Sequence, residues 1–174
     1  MEFSLVTRTR QSVRTFEAKQ ISDEQLAAVL DAAYNAPVGM GQFEKIQLIV
    51  VQSPEVIGKL EAIAGAAAGQ EDFHPAYGAQ TLIYVCEAAE DGDLITGCNT
   101  GCIVENMLLA AVNEGLGGVY LMGMVQMANA NPETAKLLGV PEGFRAVSAA
   151  GIGYPAAPVD AREVGARMAT SYVK

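Results

Sequence analysis

The segment Arg8-Thr9-Arg10-Gln11-Ser12-Val13-Arg14-Thr15-Phe16 places three of the chain's 11 Lys and Arg residues within seven positions. All three are arginine, in a protein whose formal net charge is −9. Arginine's planar fork suits bidentate recognition of phosphate better than lysine's point charge. A serine hydroxyl and neighbouring amides complete what an anion pocket needs. The competing reading is a solvated basic turn paired with Glu2, Glu17 or Asp23, because surface ion pairs are common and weak. Two further stretches bring small residues together. In Ala36-Pro37-Val38-Gly39-Met40-Gly41-Gln42 and Gly115-Leu116-Gly117-Gly118-Val119-Tyr120-Leu121-Met122-Gly123 the backbone can approach a flat ligand closely. Ordinary helix termination also accounts for both. The second is no dinucleotide fingerprint, since its glycines follow a helix instead of opening one.

Other chemistries lack their residues. A nucleophile–histidine pair would have to use His74, the only imidazole, and no GxSxG elbow accompanies it. His74, beside Pro75, reads as a solvated loop residue or a pocket wall. Cys98 and Cys102 stand four apart, but two thiols do not close a tetrahedral metal site, and no metal is expected. The run Glu87-Ala88-Ala89-Glu90-Asp91-Gly92-Asp93 reads as a solvated acidic loop. A phosphate pocket and close backbone loops, without dedicated acid–base residues, suit a protein whose cofactor carries the chemistry. For that reading no side chain is assigned as catalytic.

Those residues must be positioned by a single domain spanning residues 1–174. Hydrophobic residues are 51% of the chain and charged residues 18%, which excludes a disordered protein and leaves apolar surface for a dimer interface. The acidic balance excludes a general nucleic-acid binder. No membrane span and no signal peptide are expected. With three cysteines, an odd number, the chain reads as a cytoplasmic protein with reduced thiols.

The spacing predicts a short helix from Phe3 to about Arg10. A second helix is opened by a Ser22/Gln25 capping box and an Ile21–Leu26 staple, with Leu26, Val29, Leu30, Ala33 and Tyr34 on one face. Ile46–Val51 is a strand, and Ser53-Pro54 starts a helix with Val56, Ile57, Leu60, Ile63 and Ala64 inward. Gly65 to Pro75 is read as a loop, Thr81–Cys86 as a strand, and Asn99–Asn113 as a buried helix stopped by Gly115. Gly117–Met124 is read as a strand, Asn131-Pro132 as the cap of a brief helix ending at Gly139, and Arg145–Ile152 as a strand. The last twenty residues form no clean element. Three or four strands among four or five helices, without regular βαβ units, make an α+β protein and disfavour a Rossmann layout.

Arg10-Gln11-Ser12-Val13-Arg14-Thr15-Phe16 resembles the R-x-S-V-R-x-F signature of the nitroreductase-like flavoproteins. Later features follow the family's order: Ala36-Pro37-Val38-Gly39-Met40; Tyr77-Gly78-Ala79; a helix through Glu105-Asn106-Met107-Leu108-Leu109-Ala110-Ala111; Gly115-Leu116-Gly117; and Gly151-Ile152-Gly153-Tyr154-Pro155. The resemblance spans nearly the whole chain. It implies a nitroreductase-like three-layer sandwich, a central mainly antiparallel sheet flanked by helices. It also implies a homodimer with FMN at its interface and a tail, residues 155–174, wrapping the partner chain.

By position, the resemblance assigns Arg10, Gln11, Ser12 and Arg14 to the phosphate, ribityl chain and pyrimidine edge of FMN, with Arg14 near the N1–O2 edge. Pro37, Val38, Gly39 and Met40 would lie against the ring from the partner chain, and Leu121, Met122 and Gly123 would run past it. A basic phosphate ligand is expected in the tail, with Arg162 the nearest match and Arg167 the alternative. The family's asparagine and Gln-Pro-Trp after the Ala-Pro motif are replaced here by Gly41-Gln42-Phe43-Glu44. The implied activity is an FMN-dependent oxidoreductase that takes hydride from NAD(P)H and passes electrons to a nitroaromatic or quinone-like acceptor in a two-step exchange. The alternative is an FMN-binding storage or redox-sensing module of the same fold that does not turn over.

Overall fold

The computed structural model describes residues 1–70, 72–90 and 92–174, the Asp93 side chain apart. Four strands form one sheet in the order β1-β2-β4-β3, every pair antiparallel: β1 (Ile46–Val51), β2 (Thr81–Ala88), β3 (Gly117–Tyr120) and β4 (Phe144–Gly153). The described helices are α1 (Phe3–Thr9), α2 (Asp23–Tyr34), α3 (Pro54–Ala68), α4 (Asp93–Asn113), α5 (Met122–Ala128) and α6 (Glu133–Leu138). Alternation along β2 sorts them into layers. Leu82, Tyr84 and Cys86 face α3 and α5, and Ile83 and Val85 face α2 and α4. This is the expected three-layer α+β arrangement. Among the described residues there are six α-helices where four or five helices were expected, because α5 had been read as strand.

Local signals that depend on a few neighbours are met. Ser22 Oγ accepts from Gln25 N (3.2 Å) and Gln25 Oε1 accepts from Ser22 N (3.0 Å), closing the capping box. Ser53 caps α3 with Pro54 at its first position. Gly115 (φ 74°) follows α4, and Leu116 N reaches back to Ala111 O (2.8 Å).

Four expectations are corrected. The alanines after Gly65 extend α3 to Ala68, with Gly69 in the left-handed region as its cap (φ 68°). Helix α4 starts at Asp93, not Asn99. The strand through Met124 ends at Tyr120. Leu121 leaves the extended region (φ −105°, ψ 41°), and Met124, Val125 and Ala128 take helical spacing to bury themselves against the sheet. Glu87 belongs to β2 and is fully buried. Asp91 of the same acidic run lies outside the described residues.

Helix α4 is long and apolar enough, over Leu94–Asn113, to cross a membrane by composition, but half of that stretch is buried inside the fold. It is the core helix of the α2/α4 layer.

Candidate functional site

The arginine segment is held at the edge strand β3. Ser12 bridges to Gly118 in parallel sense, and Val13 N donates to Gly118 O (3.0 Å). This close approach requires glycine, because a Cβ at Gly117 would stand 2.7 Å from Val13 Cγ2 and one at Gly118 2.5 Å from Leu108 Cδ2. The chain after β4 then returns along the same segment. Phe16 bridges to Pro155, Ala156 N donates to Thr15 O (3.0 Å), Gln11 Nε2 donates to Asp160 O (3.4 Å) and Arg162 N donates to Arg8 O (3.1 Å). Arg162 also donates through Nε to Arg8 O (3.4 Å) and through Nη2 to Arg10 O. Of the two tail arginines, the structure therefore brings Arg162 to Arg10, while Arg167 stays exposed.

Arg10 itself is fixed from α4, its Nε 3.1 Å from Glu105 Oε1. Sequence reasoning missed Glu105, although its place on the long helix among family-like residues was visible. Among the described residues, none of Glu2, Glu17 and Asp23, the carboxylates expected to neutralise a basic turn, pairs with Arg8, Arg10 or Arg14. Arg14 is exposed, its guanidinium 5.8 Å from the centre of the Tyr77 ring, a cation–π contact. Tyr77 holds a left-handed backbone (φ 57°), rare for a bulky residue. Together Gln11, Ser12, Arg14, Pro155 and Val159 line a cavity of about 220 Å³. The donor set of this corner, guanidinium groups from Arg10, Arg14 and Arg162 with the Ser12 hydroxyl, fits a phosphate monoester dianion in an otherwise acidic chain.

Leu121–Gly123 follow directly from β3, about 10 Å along the strand from Gly118 at the usual rise per residue. Leu121 is buried in the core, so it offers a ligand only its backbone, whereas Met122 is 51% exposed and a Cβ at Gly123 would meet nothing. Met122 and Gly123 are in the first turn of α5, where backbone N–H groups have no intrahelical acceptor.

Pro37–Met40 are placed elsewhere. They precede β1, the opposite edge of the sheet, with β2 and β4 (roughly 14 Å of strand spacing) between them and β3. Gly39 N donates to Asn99 Oδ1 on α4 (2.9 Å), and Met40 is 79% exposed in a left-handed conformation (φ 56°). No hydrogen bond among the described residues joins this loop to Arg10–Arg14 or to Leu121–Gly123. One copy of the chain thus carries two groups of assigned residues on opposite sheet edges.

His74 lies between two carboxylates, Nδ1 3.3 Å from Glu61 Oε2 and Nε2 3.2 Å from Asp72 Oδ1. The hydrogen bond and charge of Glu61, then those of Asp72, hold its pKa above the ordinary imidazole range. Glu61 also accepts from the N–H of buried Ala76 (2.9 Å), so the cluster ties α3 to the loop carrying Tyr77. Cys86 is buried, which pushes its thiol up to about 12, and Cys98 and Cys102 are exposed on α4. Among the described residues no group of three His, Cys, Asp or Glu is placed to hold a metal ion.

The model of the Nitroreductase family matches residues 7–154. An Archaeoglobus fulgidus protein whose name assigns it to the NADH dehydrogenases or NAD(P)H nitroreductases is 32% identical over 152 residues, which cover 84% of this chain and 82% of that one. The NADPH-flavin oxidoreductase of Vibrio harveyi is 28% identical over 157 residues, 83% of this chain and 62% of that one. Among solved structures, a Bacteroides fragilis nitroreductase with bound FMN superposes with a TM-score of 0.84 at 27% identity, covering 99% of this chain and 100% of that one. A Desulfitobacterium hafniense nitroreductase with bound FMN does so with a TM-score of 0.87 at 25% identity, covering 100% of both.

Proposed function

The chain belongs to the nitroreductase family, and from that premise we propose that it is an FMN-dependent NAD(P)H oxidoreductase working as a cytoplasmic homodimer, with a nitroaromatic or quinone-like compound as electron acceptor. The observation that carries the reading is the convergence of Arg10, Ser12 and Arg162 where β3 begins, with Leu121–Gly123 where it ends. A phosphate-bearing, elongated cofactor fits a strand edge that is cationic at one end and open beside backbone amides at the other.

FMN, when bound, supplies the hydride and electron chemistry. The chain's own residues bind and orient. Arg10 and Arg162 neutralise the phosphate, and Ser12 donates to it. Gln11 serves the ribityl chain. Arg14 presents a cation to the pyrimidine edge, where fixed positive charge favours the reduced state. The backbone of Leu121, Met122 and Gly123 lines the ring. Pro37, Val38, Gly39 and Met40 cover it from a second copy, since within one copy they stand at the other edge of the sheet.

The exposed apolar side chains Tyr34, Met40, Phe43, Leu94 and Ile95 supply surface for that second copy. In the tail, residues 155–162 fold back on their own chain, which leaves Val164, Met168, Tyr172 and Val173, all exposed, to wrap the partner.

The test is direct. Purified protein should carry flavin absorption bands and oxidise NAD(P)H only as fast as an acceptor is supplied, with the parallel-line kinetics of a two-step exchange. Flavin binding without turnover on nitrobenzene or a quinone would instead indicate a storage or sensing module. A monodisperse, flavin-loaded monomer in light scattering would overturn the shared site.

A further inference from the structure

Glu87 stands on β2 opposite Ile46, the residue at which the stretch 37–45 enters β1, and it is fully buried. Neighbouring residues of α4 supply two of its hydrogen bonds. Thr100 Oγ1 donates to Oε1 (2.6 Å) and Asn99 Nδ2 donates to Oε2 (3.2 Å). Thr100 borders a cleft of about 400 Å³ that opens between α4, α5 and β4 where β3 stops at Tyr120. Asn99 serves the loop instead, its Oδ1 accepting from Gly39 N (2.9 Å). A carboxylate has no proton to give, so the Asn99 amide turns its NH2 to Glu87 and its oxygen to Gly39. The orientation is thus set from both sides. Asparagine is a poor residue for a helix interior, so its place in α4 answers to these tertiary contacts.

The loop needs such an anchor. Met40 (φ 56°) and Gly41 (φ 67°) are both left-handed, and in a non-glycine residue this conformation persists only where the surroundings over-determine it. Within the loop, Gly41 N donates to Val38 O (3.0 Å) and Gln42 N to Gly39 O (3.3 Å). These bonds close the turn on itself. The Gly39–Asn99 bond ties it to the body of the fold, immediately before the exposed Met40. Farther along the same helix, about 9 Å at the helical rise, Glu105 steadies Arg10. Helix α4 therefore carries a fastener for each of the two groups of assigned residues.

We propose that Asn99, oriented by the buried Glu87, is the positioning residue for the loop that closes a second copy's flavin site, so that this pair sets flavin affinity in trans. The proposal rests on the shared-site reading above and adds the residues that hold its covering loop.

Two variants of nearly unchanged size separate positioning from stability. Asn99→Leu and Thr100→Val each leave Glu87 one donor short and should lower Tm alike, but only Asn99→Leu unties the loop. In flavin titrations Asn99→Leu should raise the FMN Kd about three- to tenfold, the scale of one neutral hydrogen bond, with Thr100→Val unchanged. Hydrogen exchange at the Gly39 amide, followed by NMR on the flavin-free chain, should quicken in Asn99→Leu alone. Gly39→Pro deletes the donor at the other end of the bond, where Val38 is already extended (φ −123°, ψ 135°), and should match Asn99→Leu without touching the buried carboxylate. Mixed dimers then test action in trans. An Asn99→Leu chain paired with an Arg10→Ala chain should hold one site of wild-type affinity and one doubly weakened site, because each loop serves the other copy's arginines. Equal FMN affinity in wild type and Asn99→Leu, or equal loosening by Thr100→Val, overturns the proposal alone. A wild-type chain without flavin, a flavin-loaded monomer, or a mixed dimer with no wild-type site sinks the shared-site reading, and the proposal with it.

Discussion

The two ends of β3 differ in how their polar groups are used. At Gly117–Gly118 the returning tail and α4 cross-link the arginine segment. The backbone carbonyls of Arg8 and Arg10 take Arg162, Gln11 takes the Asp160 carbonyl, and Arg10 is steadied by Glu105. At Tyr120 the polar groups come from β3, β4, α4 and α5. The first corner is a preformed clamp in which the guanidinium groups of Arg162 and Arg10 are held by the chain's own carbonyls and carboxylate. The second is assembled at a distance, from elements that meet only because β3 stops short. Rigid cross-linking suits a resident charged group, and a cleft built from separate elements suits a molecule that comes and goes.

The largest effect should separate the ends by charge. Arg10→Ala should weaken FMN binding at least tenfold with the fold intact, since charge-assisted hydrogen bonds are worth roughly 1.5–3 kcal/mol each. Arg14→Ala should in addition lower the flavin reduction potential. Arg8→Ala is the control and should change neither, because that side chain donates to Ser4 O (3.2 Å) and only its backbone carbonyl meets Arg162. Equal losses in all three, by flavin titration, would mean a diffuse basic patch instead of a clamp.

Next comes the glycine on which the first corner rests. Gly117→Ala drives a Cβ into Val13, and overpacking of this kind costs about 1–3 kcal/mol. It should lower Tm and loosen flavin binding together, whereas Gly123→Ala, facing open space, should leave Tm unchanged.

At the other end, Glu87→Ala strands Thr100 Oγ1 and Asn99 Nδ2, buried donors now 2.6 and 3.2 Å from its oxygens. Losing partners for buried groups costs about 1–3 kcal/mol, or several degrees of Tm for a chain of this size. Flavin affinity should change less than in Arg10→Ala.

A smaller effect is expected at His74. Its pKa is raised in the folded state by Glu61 first and Asp72 second, so its stabilising contribution is complete below about pH 6.5, the unfolded value. That contribution fades as pH rises through the elevated folded value. Denaturant titrations of wild type and His74→Ala should therefore converge at alkaline pH and separate slightly below neutrality. Divergence at high pH would give the pairing the wrong sign. The smallest expected effect is none: replacing Cys98 and Cys102 together by serine should leave flavin content unchanged and release no metal.

The basic cluster was legible because Arg8, Arg10 and Arg14 stand close in sequence, whereas the strand beside them was read too long, through Met124. The choice between Arg162 and Arg167 was not legible, because tail spacing says nothing about which carbonyls the returning chain will meet. Glu87 was misread for the same kind of reason. In sequence it opens an acidic run, and its burial is made tolerable by partners from far along the chain, Asn99 and Thr100 of α4 among them. Met122–Ala128 has apolar residues that suit a strand or a short helix equally. Packing of Met124, Val125 and Ala128 against the core chose the helix and ended β3 early.

By itself the sequence determined what depends on neighbours a few residues apart. The Ser22/Gln25 box, the Ser53-Pro54 start, the Gly115 stop and the Arg10–Arg14 cluster all act through local hydrogen bonds, φ preferences and charge density. Tertiary structure alone decided what depends on groups far apart in the chain. It set Arg162 against Arg10, Glu105 behind it, Pro37–Met40 at the far edge of the sheet, and the end of β3 at Tyr120, where a short strand leaves a longer one uncovered. Such contacts follow from how layers pack and where strands end, and no spacing along the chain encodes them.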